Sequence, residues 1–174
     1  MDAFESLVRR HQHRLVGYLR AMLSRPADAE DAAQDTLLRA YRALAQFRGT
    51  STFKTWLYQI ATNVARTELA KRRSQPARTG DDDEQALRNL ASRDDIEAAF
   101  VSRDRLDRAL ASLPAEMREA VLLRDAEGFG YREIAELTGT PLGTVESRIF
   151  RARQRLRDAL APALSGGDAQ EESA

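Results

Sequence analysis

Thr144, Ser147, Arg148, Arg151 and Arg155 fall within one short stretch, and from Ser147 to Arg157 the chain has five arginines and no acid. A guanidinium forks onto two acceptors at once, which suits a guanine edge or a phosphate, and short hydroxyls reach either. The chemistry is recognition of a polyanion. Residues 131–157 must position these groups, and they read as two helices joined by a tight turn. The first carries Ile134, Ala135 and Leu137 toward a core and stops where Thr138, Gly139 and Thr140 break the periodicity. Gly139 can take the positive φ of a sharp turn. Thr140 reads as the N-cap of the second helix, with Pro141 at its first position. Along that helix Val145, Ile149, Ala152 and Leu156 recur at four, three and four, an apolar stripe that leaves the hydroxyls and guanidiniums on the opposite surface. A helix-turn-helix of this kind suits major-groove insertion. The alternative is a solvated, arginine-rich amphipathic helix in a bundle.

A second group has different chemistry. Phe47-Arg48-Gly49-Thr50-Ser51-Thr52 reads as a loop, and Phe53 opens a helix that runs through Lys54, Trp56, Tyr58, Asn63 and Arg66 to Lys71-Arg72-Arg73. Rings interleaved with cations are the composition of a single-strand-binding surface, because base faces stack on rings while cations follow the backbone. Trp56 and Leu57 could equally be core. The expected division buries Leu57, Ile60, Ala61 and Val64 and leaves at least one aromatic at the surface.

Charge is unevenly laid out along the 174 residues, although the net charge is zero. Residues 1–75 carry 13 basic and 7 acidic side chains, 76–105 carry 5 and 8, 106–161 carry 9 and 9, and 162–174 carry three acids. Basic surfaces flanking an acidic middle point to polyanion contacts at separate places. The chain has no cysteine, hence no disulfide framework, thiol nucleophile or zinc finger. His11 and His13 lie two residues apart on a helix and point to different sides, which disfavours a metal site. No acid–base cluster supports a catalytic site, and no cofactor motif is present. The absence of a membrane-spanning run or signal peptide points to the cytoplasm.

In chain order, Phe4, Leu7, Val8, His11, Leu15, Tyr18, Leu19 and Met22 predict an amphipathic helix over 3–23. Asp28 is read as the cap of a second helix over 28–46, with Ala33, Leu37, Tyr41 and Leu44 as its apolar side and Asp31, Gln34, Asp35, Leu38, Arg39 and Arg42 elsewhere on its circumference. An exposed strip of that kind either docks a basic partner or is ordinary solvated charge. From Gln75 to about Asp104 the composition is that of an acidic linker, with one short helix near Ile96 to Phe100. Leu106, Leu110, Leu113 and Pro114-Ala115-Glu116 then lead into Met117, Val121, Leu122 and Leu123, so that 106–161 forms a four-helix unit. The tail after Pro162 is too small and polar to pack. The fold class is all-α: two small helical domains, 1–75 and 106–161, joined by an acidic flexible linker, 76–105, with the helix-turn-helix in the second and a disordered tail at 162–174.

The succession of Asp28-Ala-Glu-Asp-Ala-Ala-Gln34-Asp35 with Arg39-Ala-Tyr41, Phe47-Arg-Gly49, Phe53-Lys-Thr-Trp56-Leu-Tyr58-Gln-Ile-Ala61-Thr-Asn63, Ser112-Leu-Pro114 and Gly143-Thr-Val-Glu-Ser-Arg148 resembles the extracytoplasmic-function (ECF) sigma factors of bacterial RNA polymerase. The resemblance extends from about Phe4 to Leu160. It implies that Asp31, Gln34, Asp35, Leu38 and Arg39 bind core RNA polymerase. It further implies that Phe47, Gly49, Thr50, Ser51 and Thr52, with Lys54, Trp56, Tyr58 and Asn63, capture the melted non-template strand of the minus-ten element. Thr144, Glu146, Ser147, Arg148, Phe150, Arg151 and Arg155 would read the minus-thirty-five duplex. An anti-sigma protein that buries both DNA surfaces, holding the chain near the membrane without insertion, is also implied. In the family the linker threads toward the polymerase active centre, which points to Asp81-Asp82-Asp83-Glu84 in a basic channel. Two departures stand out. Glu146 occupies a position where many members have Arg or Lys; a carboxylate there can accept from cytosine N4 or simply avoid phosphate. Thr67-Glu68 replaces the usual acidic-first ending of the helix before Arg72.

The reading is a promoter-specificity factor, not an enzyme. A conventional helix-turn-helix regulator would instead bury Trp56 and Tyr58 and ignore single-stranded DNA, and a helical adaptor without nucleic acid would tolerate loss of Arg148 and Arg151.

Overall fold

The computed structural model describes residues 2–74 and 94–164; the Asp81 to Glu84 run and the residues after 164 lie outside them. Seven α-helices make up the described chain: α1 (Asp2–Leu23), α2 (Pro26–Ala43), α3 (Phe53–Ser74), α4 (Asp94–Ser112), α5 (Ala115–Val121), α6 (Tyr131–Thr138) and α7 (Leu142–Leu164). A short 3-10 turn, Leu44–Gln46, extends α2, and a π-helical turn, Leu122–Ala126, extends α5. No strand occurs among the described residues.

Helices α1, α2 and α3 pack on one another, and α4, α5 and α6 pack around α7. In the first unit Leu15, Leu19, Met22, Leu23, Leu57, Ala61 and Val64 are buried. In the second Leu110, Leu113, Leu123, Ile134, Leu137, Val145, Ile149 and Ala152 are buried. Each large apolar side chain removed from water contributes about 1.5–3 kcal/mol, so these stripes are what bring the helices together. The units also pack against each other, α3 on α6 and α1 on both α4 and α5.

Local chemistry corrects several sequence expectations. Helix α2 begins at Pro26, not Asp28: extended Arg25 is the cap, and its carbonyl accepts from the Ala29 N–H at 3.1 Å. Proline suits this start because its missing N–H has no partner to lose there. Asp28, in the first turn, instead pairs with Arg72 of α3. The buried side of α2 is Ala29, Ala32, Ala33, Thr36 and Ala40, with Leu37 and Leu44 half-buried and Tyr41 53% exposed. A stripe of small residues lets the neighbouring helices approach closely, and the longer side chains are displaced to its margins. At the second turn Pro141, not Thr140, is the cap, because its carbonyl accepts from Thr144 at 3.0 Å and Val145 at 3.1 Å. Helix α4 starts at Asp94, inside the stretch read as linker, and α7 continues through Pro162 to Leu164, where a missing N–H removes only one bond of the final turn.

Candidate nucleic-acid interface

The outward face of α7 is set by the turn before it. Gly139 has φ +62° and closes α6 in the left-handed conformation, while the Glu133 carboxylate ties the other end of α6 by accepting from the Gly130 N–H at 2.7 Å. With Val145, Ile149 and Ala152 buried, the opposite face turns outward. Glu146, Arg151 and Arg155 are exposed, and Phe150 is 60% exposed. Thr144, Ser147 and Arg148 are half-buried: the Ser147 hydroxyl donates to the Thr144 carbonyl at 3.0 Å, and Arg148 reaches the Thr140 hydroxyl at 3.4 Å. Neither the Arg151 nor the Arg155 side chain has a hydrogen bond or ion pair among the described residues. Arg153, on another side of the helix, holds Asp125 through two hydrogen bonds of 2.9 and 2.5 Å, and this pairing keeps the Asp125 carboxyl below its usual range.

The loop before α3 carries the other chemistry. Gly49 has φ +69°, which an L-residue adopts only with strain, and Gly49, Thr50, Ser51 and Thr52 are exposed. Thr52 is the N-cap of α3: its hydroxyl oxygen accepts from the Thr55 N–H at 3.1 Å and its carbonyl from Trp56 at 3.0 Å. Beside this loop stands a cluster of rings. Phe47 lies 5.0 Å from Trp56 and 6.3 Å from Phe53, and Phe53 is 5.7 Å from Trp56 and 6.2 Å from Phe4. Phe47, Phe53 and Trp56 are each half-buried, so the cluster is anchored in the unit while keeping ring edges in reach of solvent. His11 packs on Phe53 at 5.8 Å; burial, then the charges of Lys54, Arg10 and Arg14, lower its pKa. Asn63 is exposed further along α3.

Tyr58 stands apart from this cluster. Sequence patterning put it beside Trp56 as an accessible ring, whereas it is fully buried, 5.4 Å from Tyr18 and 5.3 Å from Phe129 of the C-terminal unit. Its hydroxyl donates to Glu127 at 2.7 Å, and burial followed by that carboxylate raises its pKa strongly. Lys54 donates to the Glu127 main-chain carbonyl and lies 4.5 Å from the Phe129 ring centre. Arg66 grips Glu119 with bonds of 2.9 and 2.7 Å and reaches the Thr138 carbonyl at 3.3 Å. Arg72, read as a phosphate ligand, instead binds the Leu23 carbonyl at 2.6 Å and Asp28. A helix end with unpaired carbonyls competes effectively for such a cation.

On α2, Asp31, Gln34 and Arg39 are exposed, Leu38 is 47% exposed, and Arg39 pairs with half-buried Asp35 at 2.9 Å. One turn of helix separates these two, so the pair is local and exposed, worth at most a few tenths of a kcal/mol, roughly 0.3–0.5. The most consequential residue that patterning missed is Arg118. Buried on α5, it donates to the Met22 carbonyl at 2.7 Å, Ala111 at 2.9 Å and Leu113 at 3.0 Å, joining the ends of α1 and α4, and burial lowers its pKa. An arginine amid acids on an amphipathic helix gives no sign in sequence that it will turn inward.

Comparison with known proteins accords with this layout. Residues 7–75 match the family model for Sigma-70 region 2 and residues 103–156 that for Sigma-70, region 4. The RNA polymerase sigma-H factor of Pseudomonas aeruginosa is 39% identical, over 93% of this chain and 88% of that protein. The ECF RNA polymerase sigma-E factor of Escherichia coli (strain K12) is 35% identical over the same shares of each chain. Among solved structures, the sigma factor RpoE in complex with the anti-sigma factor NepR from Bartonella quintana has a TM-score of 0.71 at 28% identity, covering 92% of this chain and 98% of that one. CnrH in complex with the cytosolic domain of CnrY has a TM-score of 0.66 at 28% identity, covering 97% and 90%. A region-2 unit of α1–α3, a region-4 unit with its helix-turn-helix and relatives at this identity over nearly the whole chain identify the protein: it belongs to the sigma factors of RNA polymerase, in their extracytoplasmic-function group.

Proposed function

We propose that this sigma factor assigns its three tasks to three surfaces: α2 holds core RNA polymerase, α7 reads the minus-thirty-five duplex, and the Gly49 loop with the rings beside it traps bases of the melted minus-ten strand. The observation that supports this is the presence on one chain of two chemically different surfaces, each suited to one form of nucleic acid. One is an exposed face with Arg151 and Arg155, whose side chains have no partner among the described residues, and the other is a set of half-buried rings beside an exposed Gly-Thr-Ser-Thr loop. Free guanidiniums suit duplex, whose acceptors stand at fixed spacing in the groove; rings suit unstacked bases, whose faces are available only after melting. Thr144, Ser147 and Arg148 shape the approach of α7, and Glu146 bars phosphate from its own position or accepts a hydrogen bond from a cytosine N4 amino group. On α2, exposed Leu38 and Tyr41 flanked by Asp31, Gln34, Asp35 and Arg39 form a mixed apolar and acidic strip for a basic helical partner on the polymerase. Neither DNA contact need be tight alone, because both act on one promoter held by one polymerase. An anti-sigma protein is the expected regulator, by analogy with the complexes of the structural neighbours.

Permanganate probing of promoter fragments tests this division. With core polymerase and this chain, thymines near the start site become reactive; Trp56→Ala lowers that reactivity while upstream duplex protection persists. Equal loss of both, or no melting with the wild-type chain, contradicts the assignment.

A further inference from the structure

Where α3, α5 and the turn between α6 and α7 meet, they surround a cavity of about 310 Å³. Met22, Leu69, Ala70 and Ala115 give it an apolar wall. The rest is lined by guanidiniums, Arg66 and Arg73 from α3 and Arg148 from α7, by Glu116 and Glu119 of α5, and by Thr138 and Thr140. Partners are unevenly shared among these groups. Arg66 takes the buried Glu119 carboxylate with bonds of 2.9 and 2.7 Å, so those two charges cancel. The Thr138 carbonyl already accepts from Arg66 at 3.3 Å and from the Thr140 hydroxyl at 3.5 Å. Arg148 has one long contact, to the Thr140 hydroxyl at 3.4 Å. Neither the Arg73 nor the Glu116 side chain, both exposed, has a hydrogen bond or ion pair among the described residues.

A guanidinium presents five donors in a planar fork, and Arg73 and Arg148 leave nearly all of theirs unused. The small group that matches two such forks is a phosphate. Glu116 can accept from an amino group, and the apolar wall can cover a flat ring. One small molecule carries all three features. We propose that this cavity binds a mononucleotide whose base bears an amino group, with its phosphate between Arg73 and Arg148, its base on the Leu69 and Ala70 wall and its amino group toward Glu116. The volume lies at the small end of small-molecule sites, which suits one nucleotide and not two. Arg148 also belongs to the α7 surface proposed to read duplex, and an arginine held by a bound phosphate is withdrawn from DNA. Nucleotide and minus-thirty-five duplex therefore compete for it. That competition rests on the proposed role of Arg148, whereas nucleotide binding does not and is measurable without DNA.

Isothermal titration calorimetry of the full chain at fixed ionic strength tests the site. Adenosine and cytidine monophosphates should bind, while adenosine and inorganic phosphate, each lacking half of the recognised groups, should bind at least about tenfold more weakly. Inosine and uridine monophosphates, with a carbonyl in place of the amino group, should also bind more weakly, and Glu116→Ala should remove that preference. Arg73→Ala takes away one fork and Ala70→Leu fills the cavity; both positions are exposed, so the fold is kept. Each should weaken adenosine monophosphate about tenfold. No binding by the parent, inorganic phosphate binding as tightly as the nucleotides, or unchanged affinity in both variants overturns the site. Fluorescence anisotropy with upstream duplex then reads the competition: saturating adenosine monophosphate should weaken duplex binding about tenfold, the worth of one guanidinium contact to a base, in the parent but not in Arg73→Ala. Unchanged duplex affinity in the parent overturns the competition, and Arg148→Ala without nucleotide decides separately whether Arg148 was misassigned as a duplex contact.

Discussion

On α7, Arg151 and Arg155 stand exposed without a partner among the described residues, whereas on α3 Lys54 and Arg66 are both engaged by oxygens of the C-terminal unit. Both helices carry cations, and those cations are in opposite states. An exposed cation without a protein partner is already hydrated and exchanges water for phosphate at little structural cost. A cation that holds two packed units together can bind DNA only if those units part. The contrast explains why charge and aromatic content alone are a poor guide to which surface is ready to bind.

The largest expected effect comes from breaking the seam between the units at a buried arginine that joins them. Arg118→Ala leaves the Met22, Ala111 and Leu113 carbonyls without their donor, and the loss of a buried charged hydrogen-bond hub should cost about 3 kcal/mol of stability, measured by urea denaturation of the full chain. A change no larger than a surface substitution would mean that the seam does not depend on it. Next, Arg151→Ala should weaken binding of the holoenzyme to upstream duplex by about 2 kcal/mol if the contact is to a base, with no change in stability, since the side chain has no partner among the described residues. Fluorescence anisotropy with duplex of the cognate and of a scrambled sequence separates base reading from phosphate contact.

For the ring cluster, Trp56→Ala should reduce capture of the melted strand by about 1–2 kcal/mol, the value of one lost base stack. It should also lower the melting temperature, because the ring packs on Phe47 and Phe53. Fork-junction templates, already open, sharpen the point: a defect that persists on them is in capture, and one that vanishes is in opening. The smallest effect is expected at Asp125, whose ion pair with Arg153 is nearly half exposed, so Asp125→Asn should cost about 0.5 kcal/mol at neutral pH. Because Arg153 lowers the Asp125 pKa in the folded chain, that contribution is present above the ordinary carboxylate range and fades as the pH falls below about 4. Wild-type and variant stabilities should therefore converge in acid, as thermal melts across pH will reveal.

Much of this molecule was legible in sequence because its helices obey simple periodicity. The stripe Val145, Ile149, Ala152 is buried as its spacing predicts, Gly139 is left-handed as its place after α6 requires, and Leu57, Ala61 and Val64 line the core of α3. What escaped depends on partners distant along the chain. Tyr58 reads as a stacking ring until Phe129 and Glu127, some seventy residues later, are folded over it. Arg72 reads as one of three consecutive cations until the end of α1 is brought beside it. Arg118 and Glu119 carry no local signal, since each is completed by a partner across the seam, the Met22 carbonyl and Arg66. Thr140 was misplaced for a different reason: proline supplies its own capping carbonyl one residue later, and the hydroxyl is left for the turn.

The most direct measurement of the central claim is promoter-specific run-off transcription with purified core RNA polymerase and this chain on genomic DNA fragments. Discrete start sites are expected that appear only with the chain present, share two upstream elements, and weaken with Arg151→Ala and Trp56→Ala. A chain that binds those fragments but neither joins core polymerase nor produces start sites would contradict it and leave a helix-turn-helix regulator in its place.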